Sequence, residues 1–167
     1  MKNILLIGFM GTGKTTVSRQ LSLITGMEEI DMDAYIVKHE NLSISDIFDR
    51  FGEDYFRDKE TQYLKEILRN KDVIVSCGGG VVVRDENVEY MKGAGTIVLL
   101  NAKPETIYAR VKDSKERPIL NGNMNIEYIR QLMNRRKERY LSVADIIVET
   151  DNKSAMDIAK EIVKKIS

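Results

Sequence analysis

The sequence predicts an α/β domain whose parallel sheet is covered by helices on both faces. Three observations predict it. Five short apolar runs recur along the chain, segments of helical periodicity separate them, and a glycine-rich turn sits at the first junction. Strands that alternate with helices return in parallel and bury both faces of the sheet.

The strand candidates are 3–7 (NILLI), 28–30 (EEI), 73–76 (VIVS), 96–100 (TIVLL) and 145–149 (DIIVE). Between the first two, Val17, Leu21 and Ile24 recur at helical spacing, and near the C-terminus Ala155, Ile158, Ala159, Ile162 and Ile166 do the same. No repeat, low-complexity tract or interdomain linker interrupts the pattern, so residues 1–167 are expected to form one domain. The segment 112–125 (KDSKERPILNGNMN) reads as a long polar loop with Pro118 and the cluster Asn121, Gly122, Asn123. Inside a compact domain such a loop is a mobile lid or a disordered excursion.

Composition narrows the function classes. Lys plus Arg (26) equals Asp plus Glu (26), so no net basic field recruits nucleic acid or an anionic membrane. One cysteine, Cys77, excludes an internal disulfide and a multi-cysteine zinc site. No run has membrane-spanning length, and no apolar leader precedes the first strand. The expectation is a cytoplasmic protein, with a monomer as the working unit.

The glycine-rich turn carries the first chemistry. Gly8, Gly13, Lys14 and Thr15 match GxxxxGK[ST] within GFMGTGKT, between an apolar strand and an amphipathic helix. In that context backbone N–H groups and the helix N-terminus cradle phosphates. Gly8, Gly11, Thr12, Gly13, Lys14, Thr15 and Thr16 form the expected nucleotide set, with Lys14 on the β- and γ-phosphates and the Thr15 hydroxyl on Mg²⁺. A turn that merely packs helix on strand is the alternative. A guanine-specific switch would carry NKxD, but Asn152 and Lys153 are followed by Ser154 and Ala155.

A second site is written further along. Asp31 and Asp33 follow the second strand candidate, at the carboxyl edge where open α/β sheets bind ligands. Asp31 could order the metal through its water shell, and Asp33 could hold an acceptor hydroxyl and draw off its proton. Either could instead cap the next helix. After the third strand comes Gly78-Gly79-Gly80, which implies close approach of backbone to a ligand or a structural turn. At about 100° per residue, Arg136 falls on the apolar stripe of Ile126, Ile129, Met133 and Tyr140, whereas Arg135 does not. Glu60 shares a face with Phe56, Tyr63, Leu64 and Ile67, with Arg57 three residues before it. A buried guanidinium needs a partner. Internal ion pairs would supply one, and so would a carboxylate substrate held bidentately by both arginines.

Together these motifs resemble the shikimate kinase family. GFMGTGKT at 8–15, DMD at 31–33, DIFDRFGEDYFRDKE at 46–60, the triple glycine, RVKDSKERPIL at 110–120 and RRKERY at 135–140 appear in the family's order and nearly its spacing. The resemblance implies a three-layer P-loop kinase fold with a five-stranded parallel sheet, a substrate-binding region at about 31–60 and a lid at about 112–125. It implies transfer of the ATP γ-phosphoryl group to the 3-hydroxyl of shikimate. Asp33 would bind the acceptor hydroxyls, while Arg57, Arg136 and the backbone at Gly79 and Gly80, beside Gly78, would hold its carboxylate and ring. Glu60 would steady Arg57. Phe48 and Phe56 resemble the family's pocket aromatics, although the residues alone assign them to core. Arg117 would swing over the phosphates, Arg110 would stack on adenine, and Asp151 to Lys153, with Asn152 central, would flank that base. Two rivals stay open: gluconate kinase, whose acceptor is also a hydroxylated carboxylate, and a nucleotide-dependent binding module.

Overall fold

A computed structural model describes residues 2–112 and 125–167, so most of the expected lid, Arg117 included, lies outside the described residues. In chain order the elements are β1 (Asn3–Ile7), α1 (Lys14–Thr25), β2 (Glu28–Asp31), α2 (Met32–Glu40), α3 (Ile44–Ile67), β3 (Val73–Ser76), a 3₁₀ turn at Val81–Val83, α4 (Asp85–Ala94), β4 (Gly95–Asn101), α5 (Pro104–Val111), α6 (Ile126–Val143), β5 (Ile146–Glu149) and α7 (Ala155–Ile166). The five strands form one parallel sheet in the order β2-β3-β1-β4-β5.

The alternation of side chains along a strand divides the core in two. Leu5 and Ile7 of β1 point to the face packed with Leu64 and Ile67 of α3, Met91 of α4, Ile107 of α5 and Ile129 of α6. Ile4 and Leu6 point to the other, against Val17 and Leu21 of α1 and Ile158, Ala159 and Ile162 of α7. Both faces are sealed, which is why β1 reads as a continuous apolar run rather than an alternating one. Truncating Leu5 or Leu6, both fully buried, to alanine would cost about 2–5 kcal/mol. Ile24, in the last turn of α1, remains 41% exposed.

Three local features aim the elements at the site. The sheet's order reverses beside β1, whose neighbours β3 and β4 lie on opposite sides, and this opens a crevice at the strands' carboxyl ends. Helix α2 is capped by Asp31, whose side chain accepts from the Ala34 N–H. Helix α3 breaks at Gly52 (φ 85°, ψ 173°), so its second half is aimed separately from its first. A third apolar cluster, Ile36, Ile47, Phe56 and Tyr63, then joins α2 to both halves of α3. At the far edge the last strand starts at Ile146, one residue later than its apolar run suggests. Asp145 is engaged there by its carboxylate, which accepts from the Ile97 N–H at 2.8 Å.

Candidate active site

The loop between β1 and α1 is shaped by its own backbone. Gly13 caps α1 in the left-handed region (φ 92°), a conformation that strains any L side chain. Gly8 lies so close to β4 that a Cβ there would stand 2.4 Å from the Leu100 carbonyl oxygen. Thr12 is buried, and its hydroxyl donates to the Phe9 carbonyl at 2.9 Å, fixing the loop from inside. Two cations converge on this loop: Lys14 Nζ donates to the Gly8 and Phe9 carbonyls at 2.8 and 3.0 Å, and Arg110 to the Gly11 carbonyl at 2.9 Å. An anion entering the loop would find both within a short swing.

Asp31 serves two neighbours at once. Its Oδ1 accepts from the Ala34 N–H at 3.2 Å, and its Oδ2 accepts from the Thr15 hydroxyl at 2.9 Å. The capping role and the position beside Thr15 are therefore compatible, because each uses a different oxygen. From this junction a cleft of about 950 Å³ runs between Lys14, Thr15 and Thr16 on one side and Asp33, Gly78 and Gly79 on the other. Val37, Lys38, Ser43 and Ile44 extend its wall, four residues that the spacing of motifs did not single out.

The triple glycine gathers the remaining charges. None of the three has left-handed φ, and a Cβ would be crowded at Gly78 and Gly80 but not at Gly79. A Cβ on Gly78 would stand 2.8 Å from Glu60 Oε2 and 3.4 Å from Asp33 Oδ1. One on Gly79 would stand 3.6 Å from an Arg136 nitrogen, and one on Gly80 2.5 Å from an Arg57 nitrogen. Three consecutive residues thus touch four side chains from α2, α3 and α6.

Among those four, Arg57 and Glu60 form an ion pair at 2.9 Å, with Arg57 8% and Glu60 1% exposed. Glu53 adds a longer contact to Arg57 at 3.6 Å. Burial pushes the Glu60 carboxyl up and the adjacent Arg57 guanidinium opposes that push; Asp33 and Arg136 also act on it, raising and lowering respectively. The internal-ion-pair reading of Arg57 is therefore correct as far as it goes, yet the same guanidinium lies against Gly80. Arg136 is half-buried and Arg135 exposed, as the helical stripe requires.

Other expected residues fall further out. Phe48 and Phe56 pack on each other at 4.9 Å between centroids in the α2–α3 cluster, and Phe56 also lies under Arg57 at 5.2 Å. Neither lines the cleft described above, nor do Arg57, Glu60, Gly80 and Arg136, which stand behind Gly78 and Gly79. Asn152 is exposed in a left-handed turn, while its neighbour Asp151 accepts from Thr106 at 2.6 Å and ties that turn to α5, the helix of Arg110. Cys77 is buried, and burial pushes its thiol up to about 12, so it is a packed side chain rather than a nucleophile. His39 is exposed, bonded to the Tyr35 carbonyl and stacked on the Tyr35 ring.

Sequence reasoning missed Tyr140. Its hydroxyl donates to the Gly79 carbonyl, a contact across 61 residues of chain, and it sits one turn beyond Arg136 on the same stripe. That stripe was the one available signal.

Comparison with known proteins places this arrangement. The shikimate kinase family model matches residues 10–167. The shikimate kinase of Persephonella marina is 41% identical over 166 residues, covering 99% of both chains, and that of Thermodesulfovibrio yellowstonii is 39% identical over 165 residues, covering 99% of this chain and 95% of its own. Among solved structures, a shikimate kinase from Acinetobacter baumannii in complex with shikimate gives a TM-score of 0.96 at 35% identity, covering 99% of this chain and 93% of that one. A gluconokinase from Sinorhizobium meliloti, at 16% identity and a TM-score of 0.57, shares the fold alone. Matched along nearly its whole length in both sequence and architecture, this chain belongs to the shikimate kinase family.

Proposed function

We propose that this chain transfers the γ-phosphoryl group of ATP to the 3-hydroxyl of shikimate, a step towards chorismate and the aromatic amino acids. The observation that carries the reading is one cleft with two unlike ends. A backbone cradle with two cations lies at one, and Asp33, Gly78 and Gly79 line the other, with Arg136 and the Arg57–Glu60 pair set behind them against the triple glycine. The first suits a polyphosphate. The second suits a small hydroxylated carboxylate.

The roles follow from position. Gly8, Gly11, Thr12, Gly13 and Thr16 shape or line the cradle, and Lys14 leaves the loop carbonyls for the phosphate oxygens. Arg136 and Arg57 take the carboxylate, with Glu60 keeping the Arg57 fork from turning away. Asp33 receives the hydroxyl proton as the acceptor oxygen bonds to the γ-phosphorus and the bond to the ADP oxygen breaks. Most of the rate then comes from alignment and charge neutralisation. Arg117 belongs to this proposal through the family resemblance, over the phosphates, as do Arg110 and Asn152 at the adenine.

The residues present also fit Mg²⁺. Thr15 Oγ1 and Asp31 Oδ2, 2.9 Å apart, are hard oxygen donors beside the phosphate loop, and magnesium keeps most of its waters with one or two protein carboxylates. When bound it would neutralise charge on the phosphate oxygens. We further assign the protein to the cytoplasm as a monomer acting on small molecules, without nucleic acid or membrane. The equal count of basic and acidic residues supports this.

The test is ADP release with Mg²⁺ and ATP, comparing shikimate, gluconate and no acceptor. Strong stimulation by shikimate alone is expected. Equal slow turnover in all three would leave the nucleotide site standing and overturn the acceptor.

A further inference from the structure

The cluster around the triple glycine contains one group that no role above uses. Tyr140 is 6% exposed, in the last turns of α6, and belongs to the main core, as do Ile129 and Val143 of the same helix. Its hydroxyl donates to the Gly79 carbonyl, and the Arg136 guanidinium, four residues earlier, lies by the same glycine, one nitrogen 3.6 Å from where a Gly79 Cβ would stand. The next residue back, Arg139, donates from Nε to the Val82 carbonyl at 2.6 Å and pairs with Asp85. Helix α6 therefore holds the turn after β3 at two points, Gly79 and Val82.

The first point matters more, because Gly79 is where three parts meet. A Cβ there would stand 3.5 Å from the Met10 N–H nitrogen and 3.7 Å from the Gly8 carbonyl oxygen of the phosphate loop, as well as 3.6 Å from Arg136. A trans peptide points its carbonyl and its following N–H in opposite directions across one plane. Holding the Gly79 carbonyl against α6 thus fixes where the Gly80 N–H points. The guanidinium of Arg136, a long side chain that in isolation keeps considerable rotamer freedom, lies beside that same peptide.

We infer that Tyr140 is a positioning residue for the acceptor: its hydroxyl holds the Gly79–Gly80 peptide beside the Arg136 guanidinium so that the two present a single preset surface to a carboxylate. This rests on the acceptor reading above and adds to it a residue and a division of labour. The effect belongs in acceptor binding. Lys14, Asp31 and Thr15 are held by other partners, so the nucleotide end is untouched.

The test is Tyr140→Phe, which keeps the ring and removes only the oxygen. In shikimate titrations the KM for shikimate and its calorimetric Kd should both rise about tenfold, which is the loss of ~1.4 kcal/mol of preorganisation. The KM for ATP and kcat at saturation should stay within twofold. In an Arg136→Ala background the same change should raise the shikimate KM less than threefold, since the guanidinium beside that peptide is gone. An unchanged shikimate KM in the wild-type background, an equal rise in both backgrounds, or a joint loss of kcat and ATP affinity would each overturn the inference. A substrate-free reading keeps it separate from the acceptor assignment. The amide signal of Gly80 and the Nε signal of Arg136 should both shift in the nitrogen-15 spectrum of Tyr140→Phe. If neither moves, the tie itself is refuted, even if shikimate proves to be the acceptor. If wild type ignores shikimate while both signals shift, the tie stands and the acceptor reading fails. Should the phenylalanine variant not fold, Tyr140→Met fills the same space without an oxygen and is measured the same way.

Discussion

The two ends of the cleft use glycine differently. In the phosphate loop, Gly8, Gly11 and Gly13 have φ of 147°, 81° and 92°, which L side chains rarely adopt. At Gly8 and Gly11 a Cβ would also meet Leu100 at 2.4 Å and Val111 at 2.8 Å, so Gly13 alone is a matter of conformation only. In the turn after β3, none of the three glycines has left-handed φ, and Glu60 at Gly78 and Arg57 at Gly80 occupy the space a Cβ would take. One end is built mainly from backbone. The other gathers two acidic and two basic side chains from three helices. A ligand end that depends on local backbone should fail locally, and one that depends on gathered charges should fail when any contributor moves.

The contrast can be broken most sharply at Lys14. Lys14→Met should lower kcat on the order of 10³-fold, as removal of a charge-stabilising donor does, while calorimetric binding of shikimate stays within twofold. Loss of shikimate binding as well would mean the two ends are not independent. Next in size, Arg136→Ala should raise the shikimate KM about 10²-fold, the ~3 kcal/mol expected from removing one partner of a charged contact, with little change in the ATP KM. An unchanged shikimate KM there would remove the carboxylate clamp.

A pair of alanines then separates conformation from room. Gly13→Ala has space, its nearest outside atom being an Arg110 nitrogen at 4.0 Å, yet it must adopt φ 92° and should raise the ATP KM roughly tenfold through ~1–2 kcal/mol of strain. Gly80→Ala has no conformational difficulty but meets Arg57 at 2.5 Å, so it should raise the shikimate KM by a similar factor and spare ATP. If both variants hit the same substrate, the distinction drawn above is wrong.

The smallest effect concerns what holds the charged end together. Glu40, at the end of α2, accepts from the Tyr55 hydroxyl at 2.7 Å and from Tyr63, both on the second half of α3. The Tyr63 and Tyr55 hydroxyls, in that order, keep its carboxyl below the usual glutamate range. A folded-state value below the unfolded one means stability that is complete above the ordinary glutamate pKa and is lost as pH falls through the lowered value. Glu40→Gln should therefore melt below wild type at pH 7, and the gap should close as the pH drops below about 4. A gap that stays constant with pH would assign the loss to packing.

The same contrast explains what the sequence made legible. The phosphate loop could be read from spacing because its parts lie within eight residues, and strand, turn and helix are all local patterns. Arg136 and Glu60 could be picked out because a helix converts spacing into a face, which separates Arg136 from Arg135 and sets Glu60 one turn from Arg57. The meeting of those faces could not be read. Gly79 and Tyr140 are 61 residues apart, and only the parallel sheet and the course of α6 bring them together. The two roles of Asp31 looked like rivals because a one-letter code does not distinguish its two oxygens. The break in α3 was equally hidden, since apolar periodicity runs across it and only a backbone angle reports it.

That break has a consequence in handedness. Nothing lies within 4 Å of the place where an L-alanine Cβ would stand at Gly52, so crowding does not reserve the position for glycine. What reserves it is the sign of one torsion: φ 85°, ψ 173° is the mirror image of an ordinary extended residue. The second half of α3, with Arg57 and Glu60 on it, is thus aimed by a residue that behaves as though it had the opposite chirality. Chemical synthesis could install that residue literally. D-alanine at position 52 would keep the bend while shedding glycine's freedom in the unfolded chain, and L-alanine would lose it.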